Sequence, residues 1–273
     1  MYRLKTAAEK LLKAIRFLAW KYFSTSQTES IYFYTFHKCA STLFSSYVLQ
    51  NIKGLYHIDY ANIMWTKPIE YNTPLTFKKK KYIYGPIRLS ARNESVINLL
   101  VHPTTNLEFA KDKIALFFIR DPRDILVSQY YSFGYTHSLN PVKEKTEEIL
   151  SIREEVQSLT IDEYALKIVD EQIENFNKLI ELSSHCKQST ILKYEDMIEN
   201  FDSFIDELQK VVSIDERVVQ DLHAKSRPKK EVDNKSHRRS GNTRSFEKDL
   251  KPETTKVLNQ KLEKILTHFN FSV

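Results

Sequence analysis

Glycine and cysteine are scarce in this chain: among its 273 residues there are four glycines and two cysteines. A GxxxxGK[ST] phosphate loop needs two glycines and a lysine directly before the hydroxyl residue, and no segment supplies them. Cys39 and Cys186 exclude a disulfide framework and offer no zinc-binding spacing. No cluster of carboxylates suggests a magnesium site either. We therefore expect a protein of a reducing, cytoplasmic compartment that holds no metal.

Long apolar runs are also missing. Every long uncharged segment contains polar residues, Gly or Pro, so no transmembrane helix is predicted. Charged residues interrupt the basic N-terminus too often for a secretion signal. Residues 1–28 are instead predicted as an N-terminal amphipathic segment, with a helix over 1–23. Its apolar stripe is formed by Leu4, Ala8, Leu11, Leu12, Ile15, Leu18, Ala19 and Tyr22.

The polar part of that helix is strongly basic, since six Lys or Arg residues accompany a single acid, Glu9. Two interpretations stay open. The stripe packs on the domain or on another subunit, or the helix lies on an anionic membrane surface as a peripheral contact. The net charge of +6 suits a polyanionic ligand but does not by itself predict binding to nucleic acid, which we do not expect.

Strand-like runs alternate with amphipathic helices over residues 29–273, which predicts one α/β domain, a three-layer sandwich with a central, mostly parallel sheet. Strands are expected over 31–36, 55–60, 113–119 and 190–194, and an extended run over 82–84 is expected to break at Gly85-Pro86. Helices are expected over 141–157, over 160–182 with a capping box of Thr160 and Glu163, and from Pro252 onward.

The first candidate site is a strand, turn and helix over residues 31–51. The turn carries Lys38, Ser41 and Thr42 between a buried strand and a helix start. A helix start offers unpaired backbone N–H groups and a partial positive charge, which a lysine reinforces. This arrangement favours a phosphate or sulfate ligand.

The second candidate site follows the apolar run 113–119. Arg120 lies at the carboxyl end of that predicted strand, where open α/β sheets bind their ligands, and Ser128 follows two helical turns later. An arginine and a serine that converge there can hold a second phosphate by charge-assisted hydrogen bonds. The alternative is that Arg120 forms a structural ion pair with Asp121 or Asp124.

Four segments together resemble the PAPS-dependent sulfotransferases, where PAPS is 3′-phosphoadenosine 5′-phosphosulfate. FYTFHKCASTL resembles their 5′-phosphosulfate loop, and FFIRDPRDILVSQYYSF resembles their 3′-phosphate strand and helix. ILKYEDMIEN is similar to the family segment that comes after this strand and helix. The stretch around residues 237–241 is similar to the family's C-terminal loop. The resemblance implies a P-loop NTPase-like sulfotransferase fold and in-line transfer of a sulfuryl group from PAPS to a hydroxyl or amine of a carbohydrate or small molecule, without metal.

The resemblance also implies roles for single residues. Lys38 is expected to be catalytic, because it stabilises the charge that develops during transfer. Ala40 stands where the family has glycine, and the family's tryptophan after the hydroxyl pair is absent. The residues expected to bind the cofactor are His37, Lys38, Cys39, Ala40, Ser41, Thr42, Leu43, Arg120, Ser128, Tyr194, Arg238, Arg239, Ser240 and Gly241.

A base must also accept the proton of the acceptor. The resemblance implies that this base is His102, which precedes Pro103 and lies upstream of the 3′-phosphate strand. An alternative alignment with the family, which places Gly85-Pro86 at the base-bearing turn, implies Glu94 instead. Two other functions remain open: a kinase or nucleotide hydrolase with a loop like the P-loop, and a degenerate nucleotide- or polyanion-binding module of the same fold. The acceptor, the oligomeric state and the role of the first helix cannot be predicted from the sequence.

Overall fold

The structure, a computed structural model, describes residues 14–65, 75–89, 105–228 and 241–272. Its centre is a five-stranded sheet in the order β2-β3-β1-β4-β5, and all four strand pairs are parallel. The strands are β1 (Ile31–Thr35), β2 (Tyr56–Ile58), β3 (Tyr82–Arg88), β4 (Ile114–Ile119) and β5 (Gln188–Lys193). The predicted parallel α/β sheet is confirmed.

Helices surround the sheet on both faces. The first, α1, covers residues 14–23, and a 3₁₀ turn (Leu49–Asn51) and a π-helical turn (Ser132–Thr136) interrupt the series. The others are α2 (Ser41–Tyr47), α3 (Tyr60–Trp65), α4 (Leu107–Ala110), α5 (Pro122–Tyr131), α6 (Lys143–Gln157), α7 (Ile161–His185), α8 (Tyr194–Glu199), α9 (Phe201–Gln209), α10 (Glu216–Ser226), α11 (Phe246–Asp249) and α12 (Pro252–His268). The predicted capping box of Thr160 and Glu163 opens α7.

Alternate residues of β1 point into two separate cores, as the two-residue period of a strand requires. Tyr32 and Tyr34 join a core that α5, α7 and α12 cover. Ile31 and Phe33 join a second core beneath α2, α9 and α10. The sheet is thus the middle layer of the predicted three-layer sandwich.

The predicted break at Gly85-Pro86 is wrong, because β3 continues through both residues to Arg88. Tyr32 pairs with Tyr84 and Tyr34 with Ile87, so two residues of β3 oppose one residue of β1 in a β-bulge. Proline is tolerated at a bulge because its missing N–H is not needed there. A side chain at Gly85 would place its Cβ only 2.6 Å from the carbonyl oxygen of Phe33, so the bulge requires glycine.

The described part of the N-terminal helix contacts the domain with the side opposite its apolar stripe. Phe17 and Trp20 pack on Tyr56, with ring centroids 5.4 and 6.3 Å apart. Ile15 and Leu18, which belong to the predicted stripe, are half exposed. The stripe is therefore not packed on the described part of its own domain. None of the helices in the described ranges is both long enough and apolar enough to span a membrane.

Candidate functional site

The two predicted phosphate-binding segments meet where the sheet reverses its strand order. Thr35 at the end of β1 is paired with Phe118 near the end of β4, so the loop 36–40 and Arg120 leave neighbouring strands at the same edge. The helix after β1 packs on one face and the helix after β4 on the other. A crevice at such a switch point is the usual ligand site of an open α/β sheet.

The loop after β1 turns sharply because two of its residues adopt a left-handed backbone. Lys38 has a φ of 71° and Ala40 a φ of 53°, although neither is glycine. Ala40 is the N-cap of α2, and its carbonyl oxygen accepts the amide of Phe44 at 3.1 Å. Ala40 therefore adopts the conformation that favours glycine, at a strain of about 1 kcal/mol.

The positive charge of Lys38 is destabilised by its surroundings. Burial lowers its pKa from 10.5 to about 8, and repulsion from Arg120 and Arg88 acts in the same direction. Its backbone carbonyl accepts a hydrogen bond from Nη1 of Arg120 at 3.2 Å, which ties the loop to the end of β4. Three cations thus converge at the carboxyl edge of the sheet, an arrangement that an anionic ligand would relieve.

Arg120 is the hub of the second segment and is almost fully buried. Its Nη1 donates to Oγ of Ser128 at 3.1 Å, as the pattern predicted. Its Nη2 donates to the carboxylate of Asp124 at 3.2 Å and to the carbonyl of Asn242 at 2.9 Å. The guanidinium also lies 4.4 Å from the ring centroid of Tyr194. Arg120 therefore converges with Ser128 and also forms the ion pair with Asp124. Its binding of a phosphate stays a prediction.

One hydrogen-bond donor of Arg120 is unsatisfied. The buried Nε of Arg120 has no hydrogen-bond partner. The hydroxyl of Tyr194 donates to the carbonyl of Gly241 at 2.6 Å, so the chain at 241–242 is held beside the guanidinium. An unsatisfied buried donor is costly, and a phosphate is an acceptor that would satisfy it. The residues present therefore fit a phosphorylated nucleotide.

Arg123, unlike Arg120, has a structural role. Arg123 is fully buried and forms two hydrogen bonds to Asp121, from Nε at 3.0 Å and from Nη2 at 2.6 Å. Asp121 also caps α5 through the amide of Arg123. Asp124 accepts the amide of Phe246 at 3.1 Å. These bonds fix the start of α5, on which Ser128 is carried.

Glu195 is a buried group that sequence analysis missed. Its Oε1 accepts the amide of Asp121 at 3.0 Å, and its Oε2 has no partner. Burial raises the pKa of Glu195 to about 8, although the hydrogen bond from Asp121 and the charge of Arg120 oppose the shift. At neutral pH the carboxyl is therefore largely protonated and adds little negative charge beneath Arg120.

Arg88 and Asp59 are two more residues of the site that sequence analysis missed. Arg88 ends β3, beside Thr35 in the register, and its Nη2 reaches Oγ of Ser41 at 3.5 Å. Burial lowers the pKa of Arg88, and Asp59 partly offsets that shift. Burial likewise raises the pKa of Asp59, whose Oδ1 accepts the amide of Asn62 at 2.8 Å. No signal in the sequence marked Arg88, because the extended run predicted over 82–84 was expected to end before it.

A cleft of about 680 Å³ brings most of the predicted residues together. One wall is a row of rings with centroids 5.7–6.0 Å apart, from His37 to Phe133, His137 and Trp65. The π-helical turn carries Phe133 into this wall. The predicted residues that line the cleft are His37, Lys38, Ala40, Ser41, Thr42, Leu43, Arg120, Ser128, Tyr194 and Gly241.

The remaining predicted residues lie elsewhere or outside the described ranges. Cys39 is fully buried in the core under the loop, and burial raises the pKa of its thiol to about 12, so only its backbone is available to a ligand. Within the described residues, no group of His, Cys, Asp or Glu side chains could hold a metal ion. The predicted residues outside the described ranges are Glu94, His102, Arg238, Arg239 and Ser240.

Comparison with known proteins gives a family and a fold. The family model described as sulfotransferase domain matches residues 25–270. The chain is similar to retinol dehydratase in a complex with retinol and PAP, at 13% identity over 89% of this chain and 83% of that chain, with a TM-score of 0.51. It also matches mouse sulfotransferase SULT7A1 complexed with PAP, at 12% identity over 87% and 84% of the two chains, with a TM-score of 0.49. No curated protein sequence matches the chain.

Proposed function

Because the chain belongs to the sulfotransferase domain family, we propose that its cleft transfers a sulfuryl group by in-line displacement to a hydroxyl or amine of a small-molecule or carbohydrate acceptor. The membership confirms the predicted enzyme class, a PAPS-dependent sulfotransferase. The observation that carries the proposal is the meeting of Lys38 with the bonded pair of Arg120 and Ser128 in one cleft. The kinase alternative loses support, because the family match covers the whole described domain.

The donor's two anionic ends would be held by different segments. Lys38, Ser41 and Thr42 line the cleft at the start of α2 and would hold the 5′-phosphosulfate end. Arg120, through its free Nε, and Ser128 would hold the 3′-phosphate. Arg239, outside the described residues, remains a prediction for that phosphate. These assignments place the transferable group nearest Lys38.

When bound, PAPS supplies an activated sulfuryl group whose transfer leaves negative charge on a phosphate oxygen. Lys38 is positioned to stabilise that charge, since its ammonium lies in a partly buried loop where electrostatic interactions are strong. Its lowered pKa also favours donation of a hydrogen bond or proton to the leaving oxygen near neutral pH. Arg88 adds a second positive charge beside Ser41.

The acceptor would enter beside the row of rings. This wall is aromatic and begins at His37, next to Lys38, and it suits a planar or sugar-like acceptor by stacking. The fold relative crystallised with retinol and PAP holds a small apolar molecule together with the bisphosphate. A small-molecule acceptor is therefore the form of the proposal with most support.

Asp59 is our candidate for the residue that accepts the acceptor's proton. It is the carboxylate among the described residues that line the cleft, and burial raises its pKa toward the range that suits a base at neutral pH. The hydrogen bond from the amide of Asn62 and the positive charge of Arg88 oppose that shift. His102 and Glu94 remain the predictions from the sequence for the same task.

The test is calorimetric binding of adenosine 3′,5′-bisphosphate (PAP) and of AMP, both without metal. The wild type is expected to bind PAP more tightly than AMP. Arg120→Ala should lower the affinity for PAP by about 10- to 100-fold, which corresponds to the loss of a charge-assisted hydrogen bond to phosphate. Its AMP affinity should change little. Arg217→Ala, an exposed arginine of α10 with the same charge change, is the matched control and should bind both as the wild type does.

Equal losses for PAP and AMP in Arg120→Ala would contradict the assignment of the 3′-phosphate. Absent binding of both nucleotides by the wild type would contradict the cofactor, and it would favour the degenerate polyanion-binding module. Arg120→Ala also removes bonds to Lys38 and Asn242, so the melting temperature must be compared first. Arg120→Lys, which keeps the charge, should retain part of the preference for PAP.

A further inference from the structure

Helix α1 presents an apolar stripe that the rest of the described chain leaves exposed. The side chains of Ile15, Leu18 and Tyr22 are 53%, 50% and 68% exposed. At 100° per residue these three share one side of the helix, and Phe17 and Trp20, which pack on the domain, lie on the opposite side. The helix is thus attached by one face and offers the other to a partner.

The charges beside the stripe indicate what kind of partner it fits. Arg16 and Lys21 are exposed and lie at the two borders of the stripe, one on each side. Such flanking cations can extend their charged ends to anionic headgroups while their methylene stems cover apolar surface. The sequence of residues 4–13 also combines apolar residues with Lys, and Glu9 is its single acid.

A second basic feature lies at the end of the same helix. Lys78, Lys79 and Lys80 are exposed just before β3 begins. Lys80 donates to the side chain of Gln27 at 2.8 Å, and Lys81 donates to the carbonyl of Ser24, which directly follows α1. The lysine run and the apolar stripe are therefore parts of one neighbourhood.

We propose that α1 lies on an anionic lipid bilayer, with the stripe of Ile15, Leu18 and Tyr22 in the interface and the flanking cations at the headgroups. A bilayer fits better than a second copy of this chain. Two stripes in contact would bring Arg16 and Lys21 of both copies together, whereas anionic lipids complement them. The proposal does not depend on the proposed function.

The placement of α1 leaves the cleft accessible. Phe17 and Trp20 pack on Tyr56, the first residue of β2, and the lysine run precedes the first residue of β3. Both features therefore lie at the amino edge of the parallel sheet, whereas the cleft opens at the carboxyl edge. A bilayer at α1 would tether the enzyme without covering its ligand site.

The test is flotation of the full chain with vesicles of phosphatidylcholine containing roughly 30% phosphatidylserine, and with phosphatidylcholine alone. The wild type is expected to bind the anionic vesicles at least about tenfold more strongly than the neutral ones, because the flanking cations add to the apolar contact. Leu18→Glu should lower binding to anionic vesicles by at least about tenfold. The matched control is Leu166→Glu on α7, a leucine that is 38% exposed, and it should bind as the wild type does.

Three results would overturn the proposal. The wild type could fail to bind anionic vesicles, or Leu18→Glu could bind them unchanged. Light scattering could also show a dimer that Leu18→Glu dissociates without any vesicle binding, which would make the stripe a subunit interface. An unchanged melting temperature in Leu18→Glu would show that the variant is folded, whether or not the chain binds PAP. A failed sulfotransferase assignment and a failed membrane contact are therefore distinguished.

Discussion

The lowered pKa of Lys38 predicts that nucleotide binding takes up a proton. In the free protein, burial and the charges of Arg120 and Arg88 hold the pKa of Lys38 at about 8. A bound phosphate or phosphosulfate is an opposite charge at close range, so it should raise the pKa of Lys38 toward its ordinary value. Because the ligand prefers the charged lysine, PAP affinity should fall as the pH rises above 8.

The size of the effect follows from the fraction of charged lysine in the free protein. With a pKa of about 8, Lys38 is about three-quarters charged at pH 7.5 and about 3% charged at pH 9.5. PAP affinity should therefore fall by up to about 25-fold between these values, or about 1.9 kcal/mol. At pH 8.5 binding should take up about 0.8 proton at Lys38.

Calorimetry in two buffers of different ionisation enthalpy measures this uptake directly. The control is Lys38→Arg, which keeps the positive charge but does not titrate below pH 12. In this variant, PAP binding at pH 8.5 should take up about 0.8 proton fewer than in the wild type. The fall in PAP affinity between pH 7.5 and 9.5 should also be smaller. Equal uptake in the wild type and in Lys38→Arg would refute the reasoning, because the titrating group would then not be Lys38.

Two further predictions concern the loop and the base. Ala40→Gly should raise the free energy of unfolding by about 0.5–1 kcal/mol in denaturant titrations, since it relieves a left-handed alanine; Ala165→Gly, inside α7, should lower it instead. Asp59→Asn should lower the rate at which PAP is formed from PAPS and a hydroxyl acceptor by about 10²- to 10⁴-fold. It should leave the affinity for PAP unchanged. An unchanged rate in Asp59→Asn, with a loss in His102→Asn, would return the role to His102.

The features confirmed from the sequence are those that a local pattern specifies. Buried apolar runs predicted the central strands, and Thr160 with Glu163 predicted the start of α7. The convergence of Arg120 with Ser128 also followed from helical spacing. Order along the chain was enough here, because parallel strands bring their carboxyl ends to one edge.

The features that the sequence analysis missed depend on contacts between distant segments. Arg88 is a site residue only because β3 pairs with β1. That pairing brings Arg88 within reach of Ser41, which is 47 positions away in the sequence. The continuation of β3 through Gly85 and Pro86 requires a bulge that the pairing with β1 creates. Glu195 reaches Asp121 across 74 positions. No local propensity encodes such pairings, so they become visible only when the register is known.

The buried groups around Arg120 suggest how the site stays positive near neutral pH. The charge of Arg120 is maintained at all relevant pH values, because Asp124 favours its protonated form despite burial. Glu195, with a pKa of about 8, is largely neutral at pH 7 and gains its negative charge only in the range where Lys38 loses its positive one. As the pH rises, the loss of a proton from either group weakens the attraction of the site for an anion. Proton uptake that remains in Lys38→Arg should therefore disappear in the double variant with Glu195→Gln, which keeps an oxygen for the amide of Asp121.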